Sequence, residues 1–245
     1  MALPALVLVH GGQHAGDCWD ATVGEIHRIA PEVTVLAVDL PGRRGKPGDL
    51  RTATIGSWVD SVVSDIEGAG IDELVIVGHS MAGIIVPGVM EKLGSSRVRE
   101  MILAAAFVPP DGSAVVDTLP GPLGWYARRY IERGGVATLP NSLAAWVFCN
   151  GMNREQRRFN IDRFHAEGPA VVVEKVDRAG MPDDVPRTWI LTLRDRALSQ
   201  RAQHSSIEAL GGVQTVIPID TCHNLMVSQP ALLAELLVER CRRYG

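Results

Sequence analysis

Residues 72–94 read DELVIVGHSMAGIIVPGVMEKLG, and this stretch decides the fold. The run LVIV is apolar at every position, which is typical of a strand covered on both faces in a parallel sheet. The residues after it, MAGIIVPGVMEKLG, have the pattern of a helix. Ser80 lies at the turn between the two, where a serine is either a plain helix N-cap or an exposed nucleophile. The stretch therefore predicts a strand–turn–helix unit of an α/β protein.

The same alternation of short apolar runs and helical patterns extends along most of the chain. Continuous runs of Val, Ile and Leu predict strands buried on both faces, and hence a doubly wound parallel sheet. The predicted strands are residues 4–9, 33–38, 73–77, 100–107, 188–193 and 213–219. The helical patterns that would cover the sheet are residues 18–30, 54–68, 81–94 and 229–244. Thr54 should cap the second of these helices, and Pro230 lies near the start of the last.

Residues 108–186 interrupt this alternation, because they contain helical patterns and no convincing sheet strand. Many of the chain's aromatic residues also lie there. We therefore predict a core formed by residues 1–107 and 187–245, with residues 108–186 inserted as a helical cap over the carboxyl end of the sheet. The alternative is an ordinary helical segment packed on the edge of the core.

Composition limits the class of protein. The chain has 245 residues, of which 46% are hydrophobic, enough for one large α/β domain with a sizeable core. A net charge of −4 and a pI near 6.0 provide no basic field, which disfavours nucleic acid and anionic membranes as partners. No apolar run approaches the ~20 residues that span a bilayer. The apolar N-terminus lacks a basic region and a cleavage site, so we interpret it as a first core strand rather than a signal peptide.

The cysteines indicate the cellular compartment of the protein, and the glycine-rich residues 10–16 indicate whether it binds a dinucleotide cofactor. Four scattered cysteines without a CxxC pair predict a reduced, cytoplasmic protein with free thiols and no zinc site. HGGQHAG, at residues 10–16, is not the GxGxxG fingerprint of a dinucleotide site, so no cofactor is expected. The expected partner is a small-molecule substrate, and a homodimer is compatible with the sequence.

The surroundings of Ser80 favour a nucleophile. Gly78 precedes it by two residues, and Ala82 stands where the G-x-S-x-G elbow has its second glycine. A serine hydroxyl needs a base, an acid that orients the base, and donors for the oxyanion. One donor would be the N–H of Met81, next to the nucleophile. The other would be the N–H of Gly12, in the glycine pair that follows the first strand.

The base is expected in the loop after the last strand, where His223 is the clear choice among seven histidines. Its plain alternative is a loop histidine without a role. The acid should follow a strand between the serine and the histidine. We favour Asp195, which follows the strand at 188–193 within two residues, over Asp111, which follows the fourth strand. Asp220 is too near His223 along the chain and is expected to cap a turn.

These motifs, in this order, resemble the α/β-hydrolase superfamily, and most of all the small branch of plant methyl esterases, hydroxynitrile lyases and bacterial hydrolases. The resemblance covers nearly the whole chain and is carried by LVLVHGGQHAGDCWD, DLPG, GHSMAG, AFVPPDG, LRDRAL and CHNLM. It implies the α/β-hydrolase fold, a mostly parallel sheet of about six strands flanked by helices, with a helical cap inserted between strands four and five. It also implies Ser80, Asp195 and His223 as a triad, with Gly12 and Met81 as backbone donors.

The resemblance also narrows the chemistry. The lyases of the branch carry a threonine after the first histidine of the opening motif and a lysine after the catalytic histidine, where this chain has Gly11 and Asn224. We therefore predict a serine esterase that hydrolyses a carboxylic ester or lactone of a small, largely apolar molecule. Core packing is the alternative interpretation for the two methionines, Met81 and Met226. The residues expected to line the substrate pocket are His14, Trp125, Tyr126, Trp146, Phe148, Asn224 and Met226.

Two other functions fit the same residues. The triad could serve a non-hydrolytic step in small-molecule biosynthesis, such as cyclisation, dehydration or C–C cleavage, because fold and triad do not fix the reaction. Weak activity on every simple ester would favour that function. The fold could also be a ligand-binding receptor whose triad is vestigial or slow. A ligand that raises the melting temperature without being turned over would favour the receptor.

Overall fold

A six-stranded, all-parallel sheet forms the centre of the part of the chain that the structure describes. The structure is a computed structural model that describes residues 3–119, 121–132, 134–136 and 138–245, with the backbone alone for residues 121–123, 126 and 130. The strands are β1 (Ala5–Val9), β2 (Val35–Val38), β3 (Leu74–His79), β4 (Val98–Ala104), β5 (Arg187–Thr192) and β6 (Thr215–Ile219). Their order is β2-β1-β3-β4-β5-β6, with every neighbouring pair parallel. The predicted parallel sheet of about six strands is confirmed.

Helices flank the sheet. They are α1 (Asp20–Ile29), α2 (Ile55–Gly68), α3 (Val86–Leu93), α4 (Val115–Thr118), α5 (Gly121–Glu132), α6 (Asn141–Phe148), α7 (Arg154–Ile161), α8 (Ala170–Val173), α9 (Gln200–Ala209), α10 (Leu225–Ser228) and α11 (Pro230–Arg242). Thr54 caps α2 as predicted, because its Oγ1 accepts a hydrogen bond from the Ser57 N–H at 3.0 Å. Within the described ranges, no helix combines the length and apolar character needed to cross a membrane.

Strands β1 to β5 divide their side chains between two hydrophobic layers. In β3, Ile76 packs in the layer that contains Trp58 of α2, whereas the next residue, Val77, packs in the layer that contains Leu237 of α11. Successive side chains of a strand point to opposite faces of the sheet. A strand covered on both faces therefore favours apolar residues at successive positions, which explains the uninterrupted run LVIV at residues 74–77.

β3 ends in a sharp turn at Ser80. This residue has a φ of 54°, in the left-handed region that residues with a side chain rarely adopt. A 3-10 turn, Ser80–Ile84, comes next and α3 follows it, so the helix predicted over 81–94 is broken into two pieces. Pro87 explains the break, because it has no N–H with which to continue α-helical hydrogen bonds from the turn.

The Ser80 turn packs closely against the residues that follow β4. The N–H of Phe107 donates to the carbonyl oxygen of Ser80 at 2.9 Å. A Cβ atom on Gly83 would overlap the carbonyl oxygen of Phe107. Ala82 is fully buried at the position of the usual second elbow glycine. The close approach of two backbones therefore falls on Gly83, one residue later.

β4 ends at Ala104, three residues before the predicted end of that strand at residue 107. Ala105 has a φ of 45°, which turns the chain out of the sheet. The apolar run continues past the strand because the Cβ atom of Ala106 packs beside Gly83 of the Ser80 turn, and Phe107 lines the cavity next to that turn. Hydrophobicity at these positions thus reflects the turn and the cavity and not the sheet.

Residues 105–186, called the inserted segment below, connect β4 to β5 through helices α4 to α8. Its described residues add no strand to the six-stranded sheet. A single antiparallel bridge between Ala114 and Lys175 joins two distant parts of the described segment. The N–H of His165 donates to the carbonyl oxygen of Gln13 at 2.9 Å, so the segment touches the loop after β1. It therefore contacts the same edge of the sheet that carries Ser80.

We expect Gly83→Ala to lower the free energy of unfolding by about 1–3 kcal/mol, because the added methyl group has no room. Gly24 is the matched control, since it is exposed in α1 and a Cβ atom there would meet nothing within 4 Å. Gly24→Ala should raise the free energy of unfolding by about 0.4–1 kcal/mol. Urea unfolding followed by circular dichroism measures both variants. A Gly83→Ala protein as stable as the wild type would contradict the close backbone approach.

Candidate active site

Ser80, His223 and Asp195 meet at the carboxyl end of the sheet. The turn after β3 carries Ser80, the loop after β6 carries His223, and the loop after β5 carries Asp195. Nε2 of His223 lies 2.9 Å from Oγ of Ser80, and Nδ1 of His223 lies 2.7 Å from Oδ2 of Asp195. Residues that are far apart in sequence meet here because parallel strands end at one common edge.

The Asp195 carboxylate is fully buried and firmly oriented. Its Oδ1 accepts hydrogen bonds from the N–H groups of Ala197 at 2.8 Å and Leu198 at 2.7 Å. Its Oδ2 accepts from Oγ1 of Thr192 at 2.9 Å and faces Nδ1 of His223. A carboxylate oxygen accepts hydrogen bonds, so this contact favours the tautomer of His223 that has its proton on Nδ1. In that tautomer Nε2 faces the Ser80 hydroxyl as an acceptor.

The two other candidate acids lie elsewhere. Asp111 is exposed, and its Oδ1 accepts a hydrogen bond from the N–H of Arg178 at 3.0 Å. Asp220 is also exposed, and its Oδ1 lies 2.8 Å from Nε of Arg194. The structure brings Asp195 to His223 and leaves these two carboxylates at the surface.

A cavity of about 150 Å³ opens beside Ser80 and His223. Gly12 and Met81, the predicted backbone donors, line it together with those two residues. A Cβ atom on Gly12 would lie 3.5 Å from Sδ of Met81, so the two segments lie side by side. The loop after β1 and the turn after β3 thus form one rim of the cavity.

Much of the cavity wall is aliphatic and comes from the inserted segment. His14 and Phe148, both predicted to line the pocket, do line it. The aliphatic part of the wall was not predicted and consists of Val115, Leu119, Ala127, Ile131, Leu139 and Val172. Helical periodicity in a segment of unknown packing does not indicate which face points inward, so the sequence offered no means of choosing these residues.

The structure does not bring the predicted tryptophans to this cavity. Trp125 and Trp146 are 67% and 58% exposed, and neither lines it. The guanidinium of Arg196 lies 5.3 Å from the ring centroid of Trp146, which suits a cation–π contact at the surface. The side chain of Tyr126 lies outside the described residues. Aromatic content alone was therefore a poor guide to the pocket.

Asn224 and Met226 are fully buried but do not line the cavity. Met226 packs in the hydrophobic layer that contains Leu237. Asn224 lies behind His14, with its Nδ2 atom 3.0 Å from Nε2 of that ring. The loop after His223 therefore supports the cavity from behind.

Sequence reasoning missed a charged pair at the cavity wall. Glu167 lines the cavity, and its Oε2 accepts a hydrogen bond from Nη2 of Arg43 at 2.7 Å. Arg43 is fully buried, and its Nε donates to the carbonyl oxygen of His14 at 3.0 Å. Arg43 lies in the Pro- and Gly-rich loop after β2, and no spacing pattern relates it to a residue of the inserted segment. A buried salt bridge between two loops that are distant in sequence leaves no short sequence pattern from which it could be predicted.

Gln13 connects the loop after β1 to the inserted segment. It has a φ of 58°, and its N–H donates to Oε2 of Glu167 at 3.1 Å. Its carbonyl oxygen accepts the N–H of His165, and its Oε1 accepts the N–H of Leu139 at 2.8 Å. One residue in a strained conformation is thus held at three of its polar groups by the inserted segment.

Three further buried histidines lie close to the site. Burial lowers the pKa of His10 and of His79 well below the usual range, and it lowers the pKa of His14 to about 4. Nε2 of His79 lies 3.0 Å from the carbonyl oxygen of His223, and the two ring centroids are 4.8 Å apart. A charge on such a neighbour would disfavour a protonated His223, so neutral rings suit a base at that position. Among the described side chains, no group of three or more His, Cys, Asp or Glu residues could hold a metal ion.

A model of a protein family, described as the alpha/beta hydrolase family, matches residues 6–236. The chain belongs to the alpha/beta hydrolase family. The family and the fold expected from the sequence motifs are therefore confirmed, and the parallel sheet described above is the core of an alpha/beta hydrolase fold.

Two curated relatives are similar in sequence. A carbendazim-hydrolysing esterase of Nocardioides sp. (strain SG-4G) is 28% identical over 114 residues, which is 46% of this chain and 46% of that esterase. This match spans less than half of either protein. The alpha/beta hydrolase nvfD of Aspergillus novofumigatus is 19% identical over 244 residues, which is 97% of this chain and 96% of that protein.

Solved structures share the fold over almost the whole chain. An extracellular alpha/beta-hydrolase from a Paenibacillus species, described as homologous to tobacco Salicylic Acid Binding Protein 2, has a TM-score of 0.85 at 24% identity, covering 96% of this chain and 98% of that one. The methylesterase MES16 from Arabidopsis has a TM-score of 0.77 at 17% identity, covering 98% and 100%. A pyrethroid hydrolase from Sphingobium faniae JZ-2 has a TM-score of 0.72 at 20% identity, covering 98% and 97%. At these identities the likeness shows the fold.

Replacing Arg43 by Met should lower the free energy of unfolding by about 3–5 kcal/mol, because the buried Glu167 would lose its guanidinium counter-charge. Arg28→Met is the matched control, since Arg28 pairs with Glu25 on the exposed side of α1 and should contribute ~1 kcal/mol or less. Guanidinium chloride denaturation measures both. An Arg43→Met protein that loses no more stability than the control would show that the buried pair is not a stabilising one.

Proposed function

We propose that this protein is a serine hydrolase that cleaves a carboxylic ester or lactone of a small, largely apolar molecule. The observation that carries the proposal is the hydrogen-bonded series Ser80–His223–Asp195, with Oγ–Nε2 and Nδ1–Oδ2 distances of 2.9 and 2.7 Å. The series begins at a strained turn that exposes the hydroxyl to the cavity. The partial match to a carbendazim-hydrolysing esterase supports the same class of reaction.

In the proposed mechanism, His223 acts first as a base. Asp195 holds the ring with Nδ1 protonated, so Nε2 takes the proton of Ser80 while Oγ attacks the ester carbonyl carbon. The tetrahedral intermediate then collapses, and His223 gives this proton to the departing alkoxide oxygen. The products of this half-reaction are an alcohol and an acyl group bound to Ser80. A water molecule activated by His223 attacks the acyl group in the same way and releases the acid.

The proposed oxyanion donors are the N–H groups of Gly12 and Met81. Their residues lie side by side on the rim of the cavity next to Ser80. Backbone donors fixed before the reaction stabilise the negative charge that develops on the carbonyl oxygen, and one such donor is worth about 10²–10³ in kcat.

The substrate preference follows from the wall of the cavity. We propose residues 108–186 as a cap that selects the substrate, over a core formed by residues 1–107 and 187–245. The aliphatic side chains that the inserted segment contributes favour a small apolar acyl group. Esters of short aliphatic acids should therefore react faster than esters whose acyl part carries a second carboxylate.

Two positions disfavour cleavage of a cyanohydrin, the reaction of the lyases in the same branch. Asn224 is uncharged, and its Nδ2 atom faces His14 and Asn160 rather than the cavity. A Cβ atom on Gly11 would lie 2.7 Å from Cβ of Ser80, so a threonine would not fit there without displacing the nucleophile. The geometry at both positions therefore counts against cyanohydrin cleavage.

A fluorophosphonate should add once to the wild-type protein and not at all to Ser80→Ala, because the reaction needs both an activated serine and an oxyanion hole. Intact-mass spectrometry measures the adduct. The thermal unfolding curves of the two proteins serve as the control for folding. A folded wild-type protein that neither gains an adduct nor hydrolyses any member of an ester and lactone panel would overturn the proposed function.

Asp195→Asn should lower kcat for a p-nitrophenyl ester by about 10⁴, because the amide favours the wrong tautomer of His223. Asp111→Asn is the matched control, since Asp111 is exposed and bonds the N–H of Arg178. Its kcat should equal that of the wild type. A larger loss for Asp111→Asn than for Asp195→Asn would transfer the role of the acid to Asp111.

A further inference from the structure

A continuous line of hydrogen bonds runs behind the cavity from the inserted segment to the loop after β1. Nδ2 of Asn160 donates to Sγ of Cys149 at 3.2 Å, and Oδ1 of Asn160 accepts from Nδ2 of Asn224 at 2.8 Å. The same Nδ2 atom lies 3.0 Å from Nε2 of His14, whose Nδ1 lies 2.8 Å from the carbonyl oxygen of Gly12. All four of these side chains are buried, with at most 2% of each residue exposed.

The donors and acceptors in this line admit one tautomer of His14. A backbone carbonyl oxygen only accepts, so Nδ1 must carry the proton that bonds to Gly12. Nε2 of a neutral ring is then an acceptor, and it faces an amide nitrogen of Asn224, which only donates. Burial lowers the pKa of His14 to about 4, so the ring is neutral at pH 7 and the arrangement is consistent.

The carbonyl of Gly12 and the N–H of Gln13 belong to one planar peptide group, and both ends of that group are held. His14 bonds the carbonyl oxygen, and Oε2 of Glu167 accepts the N–H at 3.1 Å. The peptide group that carries the proposed oxyanion donor, the N–H of Gly12, is bonded at its own carbonyl, because Nδ1 of His10 lies 2.8 Å from the carbonyl oxygen of Gly11. Glycine has wide backbone freedom, so the two peptide groups that flank the Gly12 Cα must both be held to keep this N–H in one direction. His10 holds the first of them, and His14 holds the second.

We propose that His14 is a positioning residue that holds the peptide group between Gly12 and Gln13 and thereby aims the Gly12 N–H at the oxyanion. Asn224 and Asn160 hold the imidazole ring in the orientation that this requires. The kinetic consequence rests on the proposed function, whereas the tautomer of His14 does not. His14 would act through the backbone and exchange no proton with the substrate.

Two amide variants separate the roles of the two ring nitrogens. His14→Asn places an amide nitrogen near the position of Nδ1 and can still donate to Gly12, but it is too short to reach Asn224. His14→Gln places its amide near the position of Nε2 and can still bond Asn224, but it leaves the Gly12 carbonyl without its donor. The two variants differ by one methylene group and remove the same ring, so their comparison weighs the bond to Gly12 against the bond to Asn224.

We expect His14→Gln to lower kcat for a p-nitrophenyl ester by about 10- to 100-fold with a smaller change in KM, as for a misdirected oxyanion donor. His14→Asn should retain a kcat about tenfold above that of His14→Gln. Thermal unfolding curves establish that both variants are folded. Equal kcat values for the two variants, or a higher value for His14→Gln, would overturn the proposal. Asn160→Leu offers a second variant away from the cavity, and an undiminished kcat there would show that the line of bonds does not hold the ring.

The wild-type protein provides a test that needs no activity. The ¹⁵N spectrum of the histidine rings should show His14 with a protonated Nδ1 and a bare Nε2 at pH 7, and the signal should vanish in His14→Asn. A protonated Nε2 would overturn the proposal even if the protein is an active esterase. If the wild type neither reacts with a fluorophosphonate nor hydrolyses esters, the proposed function fails, while this spectrum still decides the state of His14.

Discussion

The left-handed φ of Ser80 is the constraint on which the rest of the site depends. A residue with a Cβ atom in that conformation is less stable by about 1 kcal/mol or more, and it persists only where neighbouring structure holds it. Here the holding contacts come from the chain that leaves β4. Phe107 bonds the Ser80 carbonyl, and Gly83 lets the two backbones touch. The two hydrophobic layers that fix β3 beside β4 thereby also fix the direction of the hydroxyl.

Few of the ionisable groups buried around this turn carry a charge. His223 faces the buried carboxylate of Asp195, while His10, His14 and His79 are buried with lowered pKa values. Neutral rings can hold backbone carbonyls and N–H groups in place without repelling a cation that forms nearby. The buried charge of Glu167 lies beside the guanidinium of Arg43. The cavity wall is thus largely apolar, and its one described charged lining residue, Glu167, has the guanidinium of Arg43 as counter-charge.

The sequence was most informative where chemistry is local to a strand end. A pattern within a few residues marks the strand before Ser80, the glycine pair that contains Gly12, and the strand before Asp195. His223 is then selected because it lies in the loop after the last strand. The sequence was least informative where partners come from separate loops. The pair Arg43–Glu167 and the exposed position of Trp125 depend on how the inserted segment packs, which periodicity does not specify. The early end of β4 was missed for a related reason, since Phe107 lines the cavity and does not belong to the sheet.

The inserted segment does more than line the cavity. Through Leu139, His165 and Glu167 it also bonds Gln13, the residue next to Gly12. An exchange of the inserted segment that reproduced every lining side chain, but not those three contacts, would release the loop that carries the proposed backbone donor. For the proposed hydrolase, selectivity and turnover rate are therefore not independent variables. A chimaera would have to carry the three contacts together with Gln13 as one transferable unit.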